Sequence, residues 1–256
     1  MLGAIAGDII GSVHEGRGTK TTDFPLFVEQ SRFTDDTVLS VAVADQLLHG
    51  GNYIDLFHDY FFAYPQAGYG GSFVRWALQR SREPYNSWGN GSAMRVSPIG
   101  FAARSLAEVL SLARQSAEVT HNHPEGVRGA QATAVAVFLA RTGASKADIR
   151  AHLEREFDYN LSARLDALRA TYTFDVSCQG SVPQAIIAFL EAEGYEEAVR
   201  NAISLGGDAD TMACIAGGIA EAFFGGVPDN IAAAALDRLD ERLRRVVTLF
   251  RERYPL

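Results

Sequence analysis

The chain has 256 residues, of which 47% are hydrophobic, so it can bury a sizeable core without disulfide or metal support for the fold. Its net charge of -8 argues against a general affinity for nucleic-acid backbones. No segment approaches the roughly 20 apolar residues that a membrane span needs, and the apolar first residues carry no basic region of the kind that begins a secretion signal. We therefore expect a cytoplasmic protein with no membrane partner.

Most segments of the chain have helical periodicity, and alternating strand patterns are nearly absent. A glycine-rich first helix is predicted, and Pro183 is expected in the first turn of a later one. The other apolar or capped segments that predict helices are Val38–Leu48, Ile149–Phe157, Glu196–Leu205, Thr211–Phe224 and Ile231–Phe250. With no linker or repeat, the sequence predicts an all-α fold, a compact orthogonal helical bundle that forms a single domain over residues 1–256.

Two short acidic segments each open a predicted helix. They are Thr34-Asp35-Asp36-Thr37 and Gly206-Gly207-Asp208-Ala209-Asp210-Thr211. Either one alone is most simply a helix cap, because Thr and Asp satisfy free backbone N–H groups and suit the helix dipole. Both, however, precede helices that are too apolar to lie on the surface.

If the two helix starts meet, four carboxylates are buried together, and buried like charges are costly unless cations neutralise them. Two divalent ions would balance the charge. The donors are all hard oxygens, which favours Mg²⁺ or Mn²⁺ over Zn²⁺. The sequence therefore predicts a binuclear centre that orients a substrate and activates water, as in a metal-dependent hydrolase.

Five motifs occur in an order that resembles the ADP-ribosylglycohydrolase family. They are Gly7-Asp8-x-x-Gly11, Thr34-Asp35-Asp36-Thr37, Gly89-Asn90-Gly91-Ser92-Ala93-Met94-Arg95, Thr120-His121 and Gly206-Gly207-Asp208-Ala209-Asp210-Thr211. The resemblance extends from Gly3 to about Gly225. It implies hydrolysis of the bond between C1″ of ADP-ribose and an acceptor, which can be a protein side chain, a small molecule or a nucleic acid. It also implies that the chain acts as a monomer.

The resemblance also implies roles for individual residues. The metal ligands that it implies are Thr34, Asp35, Asp36, Asp208, Asp210 and Thr211, holding two Mg²⁺ or Mn²⁺ ions. Glu15 matches a catalytic glutamate on a polar, glycine-punctuated loop, although the residue taken alone is an ordinary surface glutamate. Asp8 is implied to support the ligands from behind them, outside the ligand set.

The substrate groove is implied by resemblance as well. The residues expected to line it are Gly71, Ser72, Asn90, Gly91, Ser92, Met94 and His121. The glycine loop at 89–93 offers backbone N–H groups to a diphosphate without the lysine of a Walker motif. Tyr85 or Trp88 could stack on adenine, and either could equally belong to the core.

Two other interpretations stay open at this point. The oxygen-only ligand set also suits a two-metal phosphoesterase that acts on a nucleotide. A family member that only binds ADP-ribose, or has a structural role, would be expected to have lost ligands or the loop glutamate, and this chain has kept both. The acceptor to which ADP-ribose is attached is not readable from the sequence.

Overall fold

The helical periodicity of the sequence corresponds to fourteen α-helices in the computed structural model, which describes residues 1–256. The only β pairing is an isolated bridge between Gly89 and Ser177, so the all-α prediction is confirmed. In chain order the helices are α1 (Leu2–Gly11), α2 (Asp35–His49), α3 (Tyr53–Ala63), α4 (Gly71–Leu78), α5 (Ser97–Ala102), α6 (Leu106–Glu118), α7 (Pro124–Arg141), α8 (Lys146–Phe157), α9 (Leu165–Thr171), α10 (Cys178–Leu190), α11 (Tyr195–Ile203), α12 (Ala209–Phe224), α13 (Asp229–Leu236) and α14 (Glu241–Arg253). None of them is both long and apolar enough to cross a membrane.

Helix α12 lies at the centre of the molecule. Every residue from Ala209 to Ala222 is buried, which agrees with a helix that is apolar on all sides rather than along one stripe. Helices α1, α7, α10 and α11 pack around it. Because the helix is surrounded, its N-terminal end and any side chain there are held in a fixed position inside the protein.

Small residues allow α1 and α12 to touch along their backbones. A methyl group at Gly3 would overlap the Gly217 carbonyl, and one at Gly7 would overlap the Ala213 carbonyl. At the C-terminal end of α1, a methyl group at Gly11 would lie 2.5 Å from the Cα of Asp210. The glycine spacing therefore brings the end of α1 directly against the start of α12.

Two helices differ from the sequence prediction by more than a shift of a few residues at an end. Pro183 is not in a first turn, because α10 already begins at Cys178, where the Ser177 side chain accepts a hydrogen bond from the Gly180 N–H at 2.9 Å. The single predicted helix Ile231–Phe250 is two helices. Asp240 starts the second one by accepting from the Leu243 N–H at 2.9 Å, a local cap that overrides the shared apolar periodicity.

The contact between α1 and α12 makes a stability prediction that compares two adjacent glycines. Gly217→Ala places a methyl group against the Gly3 carbonyl, whereas the methyl of Gly218→Ala first meets a side-chain carbon of Ser97 at 3.1 Å. Both changes gain the same helix propensity. We expect Gly217→Ala to lower the free energy of unfolding by about 2 kcal/mol or more through overpacking, and Gly218→Ala to change it much less. Urea unfolding measures both, and equal effects would contradict a backbone contact at Gly217.

Candidate active site

The N-terminal ends of α2 and α12 meet at the C-terminal end of α1. Thr34 is the N-cap of α2, and its side chain accepts from the Asp36 N–H at 3.3 Å. Asp208 holds the N-cap position of α12 but makes no capping bond with its side chain, which leaves its carboxylate free for other partners. The two acidic segments that the sequence singled out therefore converge, as expected.

Asp8 holds the start of α2 in place. Its carboxylate accepts from the N–H of Thr34 at 2.9 Å and of Thr37 at 3.1 Å, and from the hydroxyls of the same two threonines at 2.6 and 2.5 Å. The Asp8 side chain is fully buried, and these four donors surround it. Asp8 therefore fixes the start of α2 from within the acidic cluster.

Carboxylate oxygens gather in two overlapping groups. One oxygen from each of Asp8, Asp36 and Asp210 lies within 4.8 Å of the others, and the same holds for Glu15, Asp208 and Asp210. Asp210 belongs to both groups. Such a spacing is suited to shared cations and is unfavourable for bare carboxylates.

The remaining predicted ligands lie around these groups. The Thr211 hydroxyl donates to Asp36 Oδ2 at 3.4 Å, while the other Asp36 oxygen is buried with no partner in the chain. Asp35 lines the same cleft and is tied through its backbone N–H to the Ala67 carbonyl at 2.8 Å. The buried, unpaired Asp36 oxygen suits a metal ligand, because a buried polar atom without a partner is costly.

Burial and mutual repulsion raise the pKa of the clustered carboxyl groups. Burial is the largest cause for Asp35, followed by the charge of Asp8, and together they raise its pKa to about 8. The same causes raise the pKa of Asp36 well above its usual value, and burial followed by the charge of Asp36 does so for Asp210. Burial also raises the pKa of Asp8 to about 6, against its four hydrogen bonds.

A cleft of about 480 Å³ opens from this cluster, within the range of small-ligand sites. Glycine and serine backbones, aromatic side chains and the acidic cluster form its walls. The sequence-predicted residues that line it are Glu15, Thr34, Asp35, Asp36, Gly71, Ser72, Asn90, Gly91, Met94, His121, Asp208, Asp210 and Thr211. Tyr85 and Trp88, proposed as adenine contacts, also line it, and Trp88 is 48% exposed.

The 89–93 loop joins the cleft to the metal end. Asn90 donates from Nδ2 to Asp208 Oδ2 at 2.8 Å, so this residue orients a carboxylate of the cluster as well as lining the cleft. At Gly91 a Cβ would lie 3.2 Å from Nε2 of His121, so any larger residue there would press on the imidazole. Ser92 is turned away: it is buried, and its hydroxyl donates to the Gly126 carbonyl at 2.7 Å.

Several lining residues have no clear signal in the sequence. They are Ser12, Arg32, Leu39, Phe73, Asn86, Ser87, Arg95 and Val176. Val176 reaches the cleft because its carbonyl accepts the Asn90 N–H at 2.8 Å, a long-range pairing that no local pattern predicts. Arg95 closes the motif that begins at Gly89, so its place in the motif is the one available signal for it.

The chain is similar to several known proteins. A family model described as ADP-ribosylglycohydrolase matches residues 1–255. The human protein ADP-ribosylhydrolase ARH3 is 30% identical over 88% of this chain and 84% of its own length. ADP-ribosylarginine hydrolase Tri1 of Pseudomonas putida (strain GB-1) is 24% identical over 88% of this chain and 69% of its own length. A solved structure, "ADP-ribosylglycohydrolase-related protein complex", superposes with a TM-score of 0.72 at 26% identity, covering 98% of this chain and 96% of that one.

The raised carboxyl pKa values predict how the metal-free protein responds to pH. The pKa of Asp35 rises from 3.8 to about 8 on folding, so the folded state binds more protons than the unfolded state between these values. The contribution of Asp35 to the free energy of unfolding is then fully present below about pH 4 and is lost as the pH rises through 8. We expect the melting temperature in chelator to fall between pH 5 and 8, and Asp36→Asn to flatten this fall by removing a repelling charge.

Asp23→Asn, at an exposed position outside the cleft, is the matched control and should keep the wild-type slope. If the melting temperature in chelator rises over this pH range, or if its slope against pH is the same in Asp36→Asn as in the wild type, the carboxylates do not repel each other.

Proposed function

The chain belongs to the ADP-ribosylglycohydrolase family, and on this premise we propose that it hydrolyses the glycosidic bond between C1″ of ADP-ribose and an acceptor group. One observation carries the proposal. An oxygen of Glu15 lies within 4.8 Å of oxygens of Asp208 and Asp210, at the end of a cleft suited to a small ligand. This arrangement joins a proton-transfer group, a candidate metal site and a substrate groove.

The acidic cluster is proposed to hold two Mg²⁺ or Mn²⁺ ions through Thr34, Asp35, Asp36, Asp208, Asp210 and Thr211. The side-chain ligands are oxygens only. One buried oxygen of Asp36 receives no hydrogen bond from any group of the chain. When bound, such ions would neutralise the carboxylates and supply Lewis-acid positioning of ribose hydroxyls and water. Asp8, occupied by its four donors, would keep Thr34 and Asp36 in position.

Glu15 is proposed as the group that moves a proton at the anomeric carbon. Burial is the first cause that raises its pKa, and the charges of Asp208 and Asp8 raise it further, whereas Arg32 opposes the shift. A raised pKa brings a carboxyl group closer to the range in which it can both give and accept a proton near neutral pH. A carboxylate beside C1″ would also stabilise the positive charge that develops on the sugar.

The rest of the cleft would hold ADP-ribose. The 89–91 loop and His121 both line the cleft, and Asn90 of this loop contacts Asp208. A diphosphate bound by the loop would therefore adjoin a ribose at the metal end. Gly71 and Ser72 line the cleft at the start of α4. Met94 is proposed to line the floor, whereas the Ser92 side chain is proposed only to support the loop.

A linkage panel tests the proposed function. The protein is incubated in Mg²⁺ with peptides that carry ADP-ribose on serine or on arginine, the latter because one relative is named for that linkage. We expect intact ADP-ribose as the product, and none in chelator. AMP or free phosphate would identify a phosphoesterase instead, and ADP-ribose binding without turnover of any substrate would identify a binding protein.

The role of Glu15 has its own prediction. Glu15→Gln keeps the size and removes the titrating proton, so we expect turnover to fall by about 10²-fold or more with ADP-ribose affinity largely unchanged. Glu29→Gln, an exposed glutamate outside the cleft, is the matched control and should turn over as wild type. Loss of affinity with unchanged turnover would assign Glu15 to substrate positioning.

The metal ligands are tested by thermal stability as well as by rate. Ions bound only to the folded state stabilise it, so saturating Mg²⁺ or Mn²⁺ should raise the wild-type melting temperature by roughly 5 °C. Asp36→Ala and Asp208→Ala should lose both this rise and the turnover. A wild-type rise or a wild-type rate in either variant would refute the ligand assignment.

A further inference from the structure

Arg95 is a buried cation without an anionic partner. Its side chain is fully buried, and Nη2 donates to the Ser116 carbonyl at 2.7 Å and to the Thr120 hydroxyl at 2.9 Å. Nε and Nη1 have no partner in the chain, and the guanidinium lies 4.5 Å from the centre of the Phe57 ring. Burial lowers its pKa to about 10, so Arg95 stays charged at neutral pH.

His121 connects this cation to the cleft. Its Nδ1 lies 2.8 Å from the Thr120 hydroxyl oxygen, and that same oxygen accepts from Arg95. Its Nε2 makes no hydrogen bond within the chain and faces the cleft beside Gly91. Burial, followed by the charge of Arg95, holds the pKa of His121 well below its usual value, so the ring is neutral.

The hydrogen-bond chemistry of these three residues favours one position for the imidazole proton. A guanidinium can only donate, so the Thr120 oxygen must accept from Arg95. The hydroxyl then has one proton to give, and His121 Nδ1 stands at hydrogen-bond distance to receive it. A neutral imidazole that accepts at Nδ1 carries its proton on Nε2.

We propose that Arg95 and Thr120 are positioning residues that hold His121 in the neutral Nε2–H tautomer, so that it presents one N–H donor to an anionic group in the cleft. The assignment of that anion, the diphosphate of ADP-ribose, rests on the proposed function. The tautomer does not. A neutral donor at this place binds phosphate oxygens without changing charge between pH 6 and 8, unlike a histidine with the ordinary pKa of about 6.5.

A different direction of the Thr120 hydrogen bond would give the opposite tautomer of His121. The Tyr85 hydroxyl also lies beside Thr120, and if Thr120 gave its proton to Tyr85, His121 would donate from Nδ1 and leave Nε2 as an acceptor. Around His121, Arg95 shares the Thr120 hydroxyl, the Tyr85 ring centre lies 5.9 Å from that of the imidazole, and Cys178 donates to the nearby Gly89 carbonyl. Burial raises the pKa of both Tyr85 and Cys178 to about 12, so neither changes charge between pH 6 and 8.

Nitrogen NMR of the histidine rings tests the tautomer in the wild-type protein with no substrate, and a variant is needed only to assign the signal. The chain has 6 histidines, and the signal missing from His121→Gln assigns the relevant ring. We expect a protonated Nε2 and an unprotonated Nδ1 that do not titrate between pH 6 and 8. The reversed pattern, or titration within this range, would overturn the proposal.

Two variants test the consequence for binding. Thr120→Val keeps the shape and removes the hydroxyl, whereas Thr120→Ser keeps the hydroxyl. We expect Thr120→Val to weaken ADP-ribose binding about tenfold, the equivalent of one hydrogen bond of about 1.4 kcal/mol, and to change the nitrogen pattern of His121. Thr120→Ser should keep the wild-type affinity and the wild-type nitrogen pattern of His121. Melting temperatures verify that each variant is folded.

Wild-type affinity in a folded Thr120→Val would overturn the positioning role. If the wild-type protein fails to bind ADP-ribose at all, the proposed function fails, while the nitrogen pattern still decides the tautomer. The two failures are therefore distinguishable.

Discussion

The structure depends on one electrostatic constraint: carboxylates from three helix ends share a buried space that they cannot occupy comfortably when charged. Asp36 and Asp210 are both buried and both take part in the cluster with Asp8. Helix N-terminal ends and threonine hydroxyls offset part of the repulsion, yet the pKa of Asp36 and Asp210 remains raised well above the usual value. Bound cations would remove the remaining electrostatic repulsion, so the site favours cation binding.

The α1–α12 contact holds this cluster together. Gly3, Gly7 and Gly11 allow α1 to lie against the backbone of α12. Helix α1 also carries Asp8, between Gly7 and Gly11. Asp8 then fixes Thr34 and Thr37 at the start of α2, close to Asp210. The packing of small residues in the core and the position of the acidic side chains are therefore one structural feature, because a shift of α1 would move Asp8 away from α2.

Much of the fold and site follows from local patterns. Helical periodicity and caps indicate the all-α class, and the two acidic helix starts predict a shared cation site because each precedes a buried helix. Long-range geometry is less accessible. Nothing local shows that Asn90 contacts Asp208, that Val176 reaches the cleft or that Ser92 points away from it. The break near Asp240 escapes prediction because a cap can interrupt an apolar pattern that continues beyond it.

The most direct measurement of the central claim is a crystal structure with Mn²⁺ and ADP-ribose, in which anomalous scattering locates the metals independently of the map. We expect two anomalous peaks about 3.5–4 Å apart among Asp36, Asp208 and Asp210, with the terminal ribose beside them and the diphosphate near His121. A cluster that shows no anomalous peak, or ADP-ribose bound away from it, would contradict the account.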